Sequence, residues 1–459
     1  MSDLHYLSIS EASVLIRRRQ ISPVDLVSAA LRRIDAVEIR VHAFITVTRN
    51  EAMKAARAAE REISRGKYRG PLHGIPVGVK DTHYTRGIRT TAGSAVLGDF
   101  VPEFDATVVT RLKDAGAILI GKTNLPEFSF GSATPASNPW DLSRTPGGSS
   151  GGSAIGLATG MLAGATGGDT SGSIRFPATY CGVVGLKPTF GRVSRYGVVP
   201  ISWSLDHVGP MTRTVRDNAI LLGVLSGYDP QDASSSEEPV PDYTRSLRRA
   251  VRGMKIGIPR GQMLQGYHPD VLRAFEDALR HFKKMGARVS EVAMPATLDI
   301  MDECQRVIRI AEAASYHERF LASRADRYGS DTTDPDARSP RRDVEAGCLI
   351  TAIQYLRAQR VSRIFLRQML ELFQTLDVFI TPGRPAPAGE KGHVRQEFAR
   401  MFNCCGFPAM AVPAGFSNSP PGLPVGLQIA AGPFDEEKIY TVAYAYERET
   451  EWFRTRPSI

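Results

Sequence analysis

The sequence predicts an α/β fold built on a mostly parallel sheet. Three features carry this expectation. Short apolar runs of strand length alternate with amphipathic segments of helix length. The 459 residues suffice for a substantial buried core. Hydrophobic residues make up 42% and charged residues 23%, ordinary values for a water-soluble globular chain, which sets aside disordered, collagenous and membrane classes.

The elements follow in order along the chain. Ser8 with Glu11 forms a capping box ahead of Ala12, Leu15 and Ile16. Ser22-Pro23-Val24-Asp25 starts a second helix through Leu26, Ala30 and Ile34. Residues 51–64 read as a third, charged amphipathic helix. A turn at His73-Gly74-Ile75-Pro76 leads into Val77-Gly78-Val79-Lys80, a short buried strand. Thr107 to Asp114 reads as a helix and Ala117 to Ile120 as a strand. Glycine, serine and threonine dominate 146–176 beyond what turns require. Residues 230–345 are more polar, with a strand at Lys255-Ile256-Gly257-Ile258-Pro259 and a helix from Pro269 to Met285. Strands at Leu376 to Pro382 and Val425 to Ile429, then a helix from Glu436 to Thr450, complete the pattern. No internal repeat is visible.

The formal net charge of +9 is modest for this length. Its densest runs, Arg17-Arg18-Arg19, Arg248-Arg249 with Arg252, and Arg341-Arg342, lack interleaved aromatics, so they read as solvated faces and no nucleic-acid partner is expected. Five cysteines without a C-x-x-C pair indicate reduced thiols and a cytoplasmic protein. The N-terminus lacks signal-peptide character, and no run of 18 apolar residues suggests a membrane span. No Cys/His cluster has zinc spacing, and neither metal nor organic cofactor is expected.

Two glycine-serine runs stand out. The first is Pro146-Gly147-Gly148-Ser149-Ser150-Gly151-Gly152-Ser153. A flexible linker would not run straight into Ala154-Ile155-Gly156-Leu157-Ala158, which reads as packed helix. A phosphate loop needs a lysine after its last glycine, and no lysine occurs between Lys122 and Lys187. A nucleophile elbow on Ser150 would need a preceding strand, which Leu142 to Pro146 does not make. The second run is Gly167-Gly168-Asp169-Thr170-Ser171-Gly172-Ser173-Ile174-Arg175. A serine after such a stretch can sit where backbone N–H groups converge on an oxyanion. A serine hydroxyl needs a base, and histidines near these runs are scarce. Lysine serves if burial keeps it neutral, and Lys80, ending an apolar strand, is the candidate.

Together, Lys80, Gly147 to Ser153 and Asp169 to Arg175 resemble the amidase signature family, with Ser149 69 positions after Lys80 and Ser173 24 after Ser149. The resemblance extends through Cys181 to Thr189, Gly191 to Ser194 and Leu205 to Pro210, and returns at Gly406-Phe407-Pro408-Ala409 and Pro424 to Gln428. It implies a large mixed, mostly parallel sheet covered by helices on both faces. The whole chain would be one amidase domain: N-terminal helices over 1–68, a signature core over 69–215, a variable pocket-forming segment over 216–345, and the rest of the core over 346–459. It implies that Ser173 attacks the amide carbonyl, Ser149, on a cis peptide after Gly148, relays the proton, and Lys80 is the base. The N–H groups of Thr170, Ser171, Gly172 and Ser173 would form the oxyanion hole. Ser150 would help hold Lys80, and Arg175 would face a carboxylate-bearing substrate or pair with Asp169. Gly168 stands where the family often has threonine, and Ser171 where it often has glycine.

The implied activity is hydrolysis of a small carboxylic amide to acid and ammonia or amine through an acyl-enzyme, by a protein that is expected to form a homodimer. Three other functions compete with it. The first is the glutaminase subunit of a tRNA-dependent amidotransferase. Gln396 standing where that subfamily has an acidic residue, and the lack of a tyrosine-aspartate-glycine pattern around Tyr316-His317-Glu318, argue against it. The second is a hydrolase of a urea-like acid such as allophanate or carboxybiuret. The third is a non-catalytic binding protein, disfavoured by the retention of Lys80 and Ser173.

Overall fold

The computed structural model describes residues 4–130, 134–329, 340–389, 398–418 and 422–459. Among the described residues eleven strands share one sheet. In chain order they are β1 (Phe44–Val47), β2 (Pro76–Lys80), β3 (Ile118–Thr123), β4 (Gly164–Asp169), β5 (Val184–Lys187), β6 (His207–Thr212), β7 (Lys255–Pro259), β8 (Arg288–Val292), β9 (Val378–Pro382), β10 (Ala409–Phe416) and β11 (Pro424–Ala430). Across the sheet the order is β1-β3-β2-β4-β6-β5-β10-β11-β9-β7-β8.

The sheet is mixed, as the sequence implies, but parallel pairing does not dominate. Four pairs are parallel: β3–β2, β2–β4, β9–β7 and β7–β8. Six are antiparallel: β1–β3, β4–β6, β6–β5, β5–β10, β10–β11 and β11–β9. The reason lies in the connections. Helices Thr107–Asp114 and Pro269–Lys284 lie between the neighbours β2 and β3, and β7 and β8, which allows a parallel return. β5 and β6 are joined by a helix-free stretch, and β10 and β11 are separated by seven residues, so both pairs turn back antiparallel.

The capping boxes at Ser8 and Ser22 are formed and start helices Ile9–Arg17 and Pro23–Val41. Helices Arg49–Ser64 and Glu436–Thr450 also match the sequence pattern. Two apolar cores cover the two faces of the sheet. One joins Val77 and Val79 of β2 and Leu186 of β5 to helices Ile9–Arg17, Val215–Leu225, Pro269–Lys284 and Glu436–Thr450. The other joins Ile118 and Ile120 of β3, Ala165 of β4 and Met211 of β6 to helices Pro23–Val41, Arg49–Ser64 and Gly151–Ala158. Among the described residues no helix is long and apolar enough to cross a membrane.

This layout brings the carboxyl ends of β2, β3 and β4 side by side. Side chains alternate along β2: Val77 and Val79 enter the first core, while Gly78 lies under Leu162 on the other side. Lys80, two residues past Gly78, therefore points to the face covered by helix Gly151–Ala158. That helix starts at the glycines rather than at Ala154, and all eight of its residues are buried. A Cβ on Gly152 would lie 2.3 Å from the Ala43 carbonyl oxygen and 2.4 Å from the Asn124 nitrogen, so only glycine lets the helix start press against the end of β3.

Candidate active site

Lys80 is the last residue of β2 and is 1% exposed. Its Nζ lies 2.7 Å from the Oγ of Ser149, also 1% exposed. The Gly148–Ser149 peptide is cis. Burial pulls the Lys80 ammonium down to about 7, against the opposing pull of the Asp206 and Asp169 charges. This brings the amine within reach of its uncharged form near neutral pH. Its lone pair can then accept the Ser149 proton.

The nucleophile loop is wound around Asp169, the last residue of β4. The Asp169 carboxylate accepts from the backbone N–H of Gly172 at 2.8 Å and of Ile174 at 3.1 Å. Burial alone would raise this carboxyl. The adjacent Arg175 guanidinium outweighs burial and holds it well below the usual carboxylate range. The Gly172 N–H is therefore already spent and does not serve an oxyanion hole in this arrangement. The N–H groups of Thr170, Ser171 and Ser173 have no protein acceptor among the described residues. The Thr170 carbonyl and the Ser171 hydroxyl instead accept from Gln305 Nε2, at 3.2 and 2.5 Å. Ser171 thus turns its side chain to helix Leu298–Arg324.

Ser173 is half-buried, and no hydrogen bond joins its hydroxyl to Ser149. The two loops are nonetheless tied next to each other, because the Ser150 N–H donates to the Ser173 carbonyl at 3.1 Å. Catalytic hydrogen bonds often tighten only around substrate.

One expected contact is not made, and of the two alternatives for Arg175 the structure shows the ion pair with Asp169 at 2.9 Å. Ser150 forms no hydrogen bond to Lys80. Its hydroxyl donates to the Gly168 carbonyl at 3.2 Å and accepts the Gly168 N–H at 3.1 Å, clamping the serine loop to β4. Arg175 does not face a ligand. It is 1% exposed, and all five of its N–H donors are committed to Asp169, Asn403, Gln428 and the Ala399 carbonyl. The sequence motif places both residues correctly, but their roles are structural.

A cavity of about 560 Å³ opens onto Lys80, Ser149, Gly168 and Asp206. Half of its lining residues lie in 195–208. Among the described residues of the segment 216–345, expected to shape the pocket, only 231–234 line it. Ser173 is not among the lining residues, so the cavity meets the lysine side of the site. Gly168 lines it next to the lysine: a Cβ there would lie 3.5 Å from Lys80 Nζ, an ordinary van der Waals contact. Asp206 accepts from Thr170 Oγ1 at 2.6 Å and from the N–H groups of Ile201 and Ser202, joining this wall to the nucleophile loop. The motifs alone do not single out Asp206 or the links through Asn403 and Gln305. Asp206 lies within the Leu205 to Pro210 motif, but Gln305 and Asn403 are more than 130 positions from Thr170 and Ser171 or from Asp169, and no local spacing signals them. Gln396 lies outside the described residues. Among those described, no group of three or more His, Cys, Asp or Glu side chains is placed to hold a metal ion.

A mixed sheet of this topology, with a buried lysine against a serine and a second serine in an adjoining glycine-rich loop, defines a class of enzyme acting on C–N amide bonds. The Amidase family model matches residues 25–440, and the chain belongs to the amidase signature family. It is 41% identical to the A subunit of glutamyl-tRNA(Gln) amidotransferase from Geobacter sp. (strain M21), over 97% of this chain and 98% of that protein. Among solved structures it resembles a chain of a vestigial protein complex described as revealing the evolutionary origins of an s-triazine catabolic enzyme. The identity is 30% and the TM-score 0.89, over 99% of this chain and 100% of the other. It also resembles the peptide amidase of Stenotrophomonas maltophilia, at 30% identity and a TM-score of 0.84, over 98% of both chains.

Proposed function

We propose that this enzyme hydrolyses a small carboxylic amide to acid and ammonia or amine through an acyl-enzyme on Ser173. The observation that carries the proposal is the buried Lys80 Nζ at 2.7 Å from Ser149 Oγ. Neutral Lys80 takes the Ser149 proton as Ser149 takes that of Ser173, and the Ser173 oxygen attacks the carbonyl. The N–H groups of Thr170, Ser171 and Ser173 are the donors available to the oxyanion. The Lys80 ammonium returns the proton through Ser149 to the leaving nitrogen as the C–N bond breaks. Water, deprotonated along the same path, then releases the acid. The five unpaired cysteines suit a cytoplasmic enzyme. A homodimer would run at twice the 50.0 kDa chain mass.

A second reading is favoured by identities of 39–41% over nearly the full length of bacterial proteins named as the A subunit of glutamyl-tRNA(Gln) amidotransferase. In that case the amide would be glutamine and the ammonia would pass to a partner protein. One panel separates the two: aliphatic, aromatic and ureido amides, plus glutamine, with ammonia release measured for wild type and Ser173→Ala. Release confined to glutamine supports the second reading. Release from simple amides supports the first. Undiminished release by Ser173→Ala removes the acyl-enzyme from both.

A further inference from the structure

Helix Ala352–Phe373 carries aliphatic side chains on both of its sides. One side buries Ala358, Ser362, Phe365 and Met369. The other lacks the mixed polar residues of an ordinary solvated face. Ile353, Leu356, Arg360, Ile364, Arg367 and Leu370 follow one another at spacings of three and four, so they form one stripe, and all are exposed. Leu349, in the turn just before the helix, is 81% exposed, Ile353 63% and Leu356 59%. A single exposed aliphatic is ordinary, but five within one helix and its lead-in make a patch.

The charge on this stripe has one sign. No aspartate or glutamate occurs from Ala346 to Leu370, while Arg357, Arg360, Arg363 and Arg367 are all exposed. Among the described residues none of these four arginines is in an ion pair. Exposed arginines elsewhere are matched: Arg249 with Glu437, Arg280 with Asp277 and Arg341 with Glu345. Two copies of the chain meeting through this face would set arginine against arginine, which disfavours self-association. A protein partner would have to supply pockets for side chains that stand this far out of the surface. A bilayer closes around them without preformed pockets. At 1.5 Å per residue the 22-residue helix is about 33 Å long. Laid flat, it can put its aliphatic tips into the acyl boundary while the guanidiniums reach lipid phosphates as planar forks.

We propose that helix Ala352–Phe373 is a docking surface for an anionic membrane. Leu349, Ile353 and Leu356 enter the interface, and Arg360, Arg363 and Arg367 hold the headgroups. This is peripheral attachment and adds no membrane span. None of these residues lines the cavity at Lys80, so the surface is independent of the amide chemistry proposed above.

The test is co-sedimentation of the full chain with vesicles of phosphatidylcholine alone and of equal parts phosphatidylcholine and phosphatidylglycerol, at low and high salt. Wild type is expected to bind the anionic vesicles and not the neutral ones. The triple variant Arg360→Gln, Arg363→Gln, Arg367→Gln should weaken that binding ~100-fold, about fivefold for each arginine. The triple variant Leu349→Ser, Ile353→Ser, Leu356→Ser should keep only weak binding that high salt removes, because charge alone is left. Both variants change exposed side chains, so their Tm should stay close to that of wild type. Gel filtration, and titration with a helical peptide bearing leucine and glutamate on one face, test the other occupants. A wild type that does not bind anionic vesicles, or binding that neither triple variant weakens, overturns the assignment. So does a dimer that the serine variant breaks, which gives the face to a second copy. Binding of the peptide without binding of vesicles also overturns it and gives the face to an acidic protein.

Discussion

Lys80 and Lys122 sit almost side by side and do different work. Lys80 ends β2, and Lys122 is the second-last residue of the adjacent parallel strand β3, opposite Val79 in the ladder. Each is 1% exposed, and burial pulls both down, Lys80 to about 7 and Lys122 to about 8. Their partners differ. Lys122 donates to the His83 carbonyl at 2.6 Å and to Thr90 Oγ1 at 2.7 Å, and lies 3.4 Å from the Asp81 carboxylate. That set includes a carbonyl and a carboxylate, acceptors that hold an ammonium in place. Among the described residues, Lys80 has one hydroxyl at 2.7 Å and no carboxylate in ion-pair contact. A hydroxyl can give its proton to a neutral amine, and a carbonyl cannot. Burial makes a lysine easier to deprotonate, but the neighbouring groups decide whether that produces a base or a structural tie.

Substitutions can break this contrast, and the largest effect is expected at Lys80. Lys80→Ala should lower kcat about 10³- to 10⁴-fold in an ammonia-release assay. Adding Ser149→Ala should cost little more, because both residues act on one proton path. Lys122→Met should show the opposite pattern. It strands the buried Asp81 carboxylate, so a stability loss of about 3–5 kcal/mol is expected by denaturant titration. Its remaining folded enzyme should keep the pH dependence of wild type. A catalytic defect like that of Lys80→Ala would erase the distinction. Gly168→Ser should give the smallest effect. It would set a hydroxyl beside Lys80 Nζ, favour the ammonium, and move the acid limb of the pH–rate profile up by about one unit or less. An unmoved limb would mean that the added hydroxyl turns away from the lysine.

Much of this site was legible in the sequence, because its chemistry is local. The run Val77-Gly78-Val79 predicts the buried strand that delivers Lys80, and the clustering of glycine and serine marks both loops. β4 was not legible: Gly-Ala-Thr-Gly-Gly-Asp has the composition of a loop, yet it pairs along its full length with β6. Its glycines serve close packing, as at Gly167, where a Cβ would meet Ile174, Met211 and Ser150. The fate of Arg175 was also hidden, because Asn403 and Gln428 reach it from 228 and 253 residues away. Helices Leu298–Arg324 and Ala352–Phe373 were missed because polar residues interrupt their apolar pattern, while packing against each other defines their buried sides.

The central claim is that an uncharged Lys80 drives the attack. It is tested most directly by the pH dependence of kcat/KM for amide hydrolysis in wild type and Lys122→Met. The account predicts a rate that rises through an apparent pKa of about 7 in both proteins, as the Lys80 ammonium loses its proton. A rate that stays flat from well below to well above neutrality, or a limb that disappears with Lys122, would contradict it.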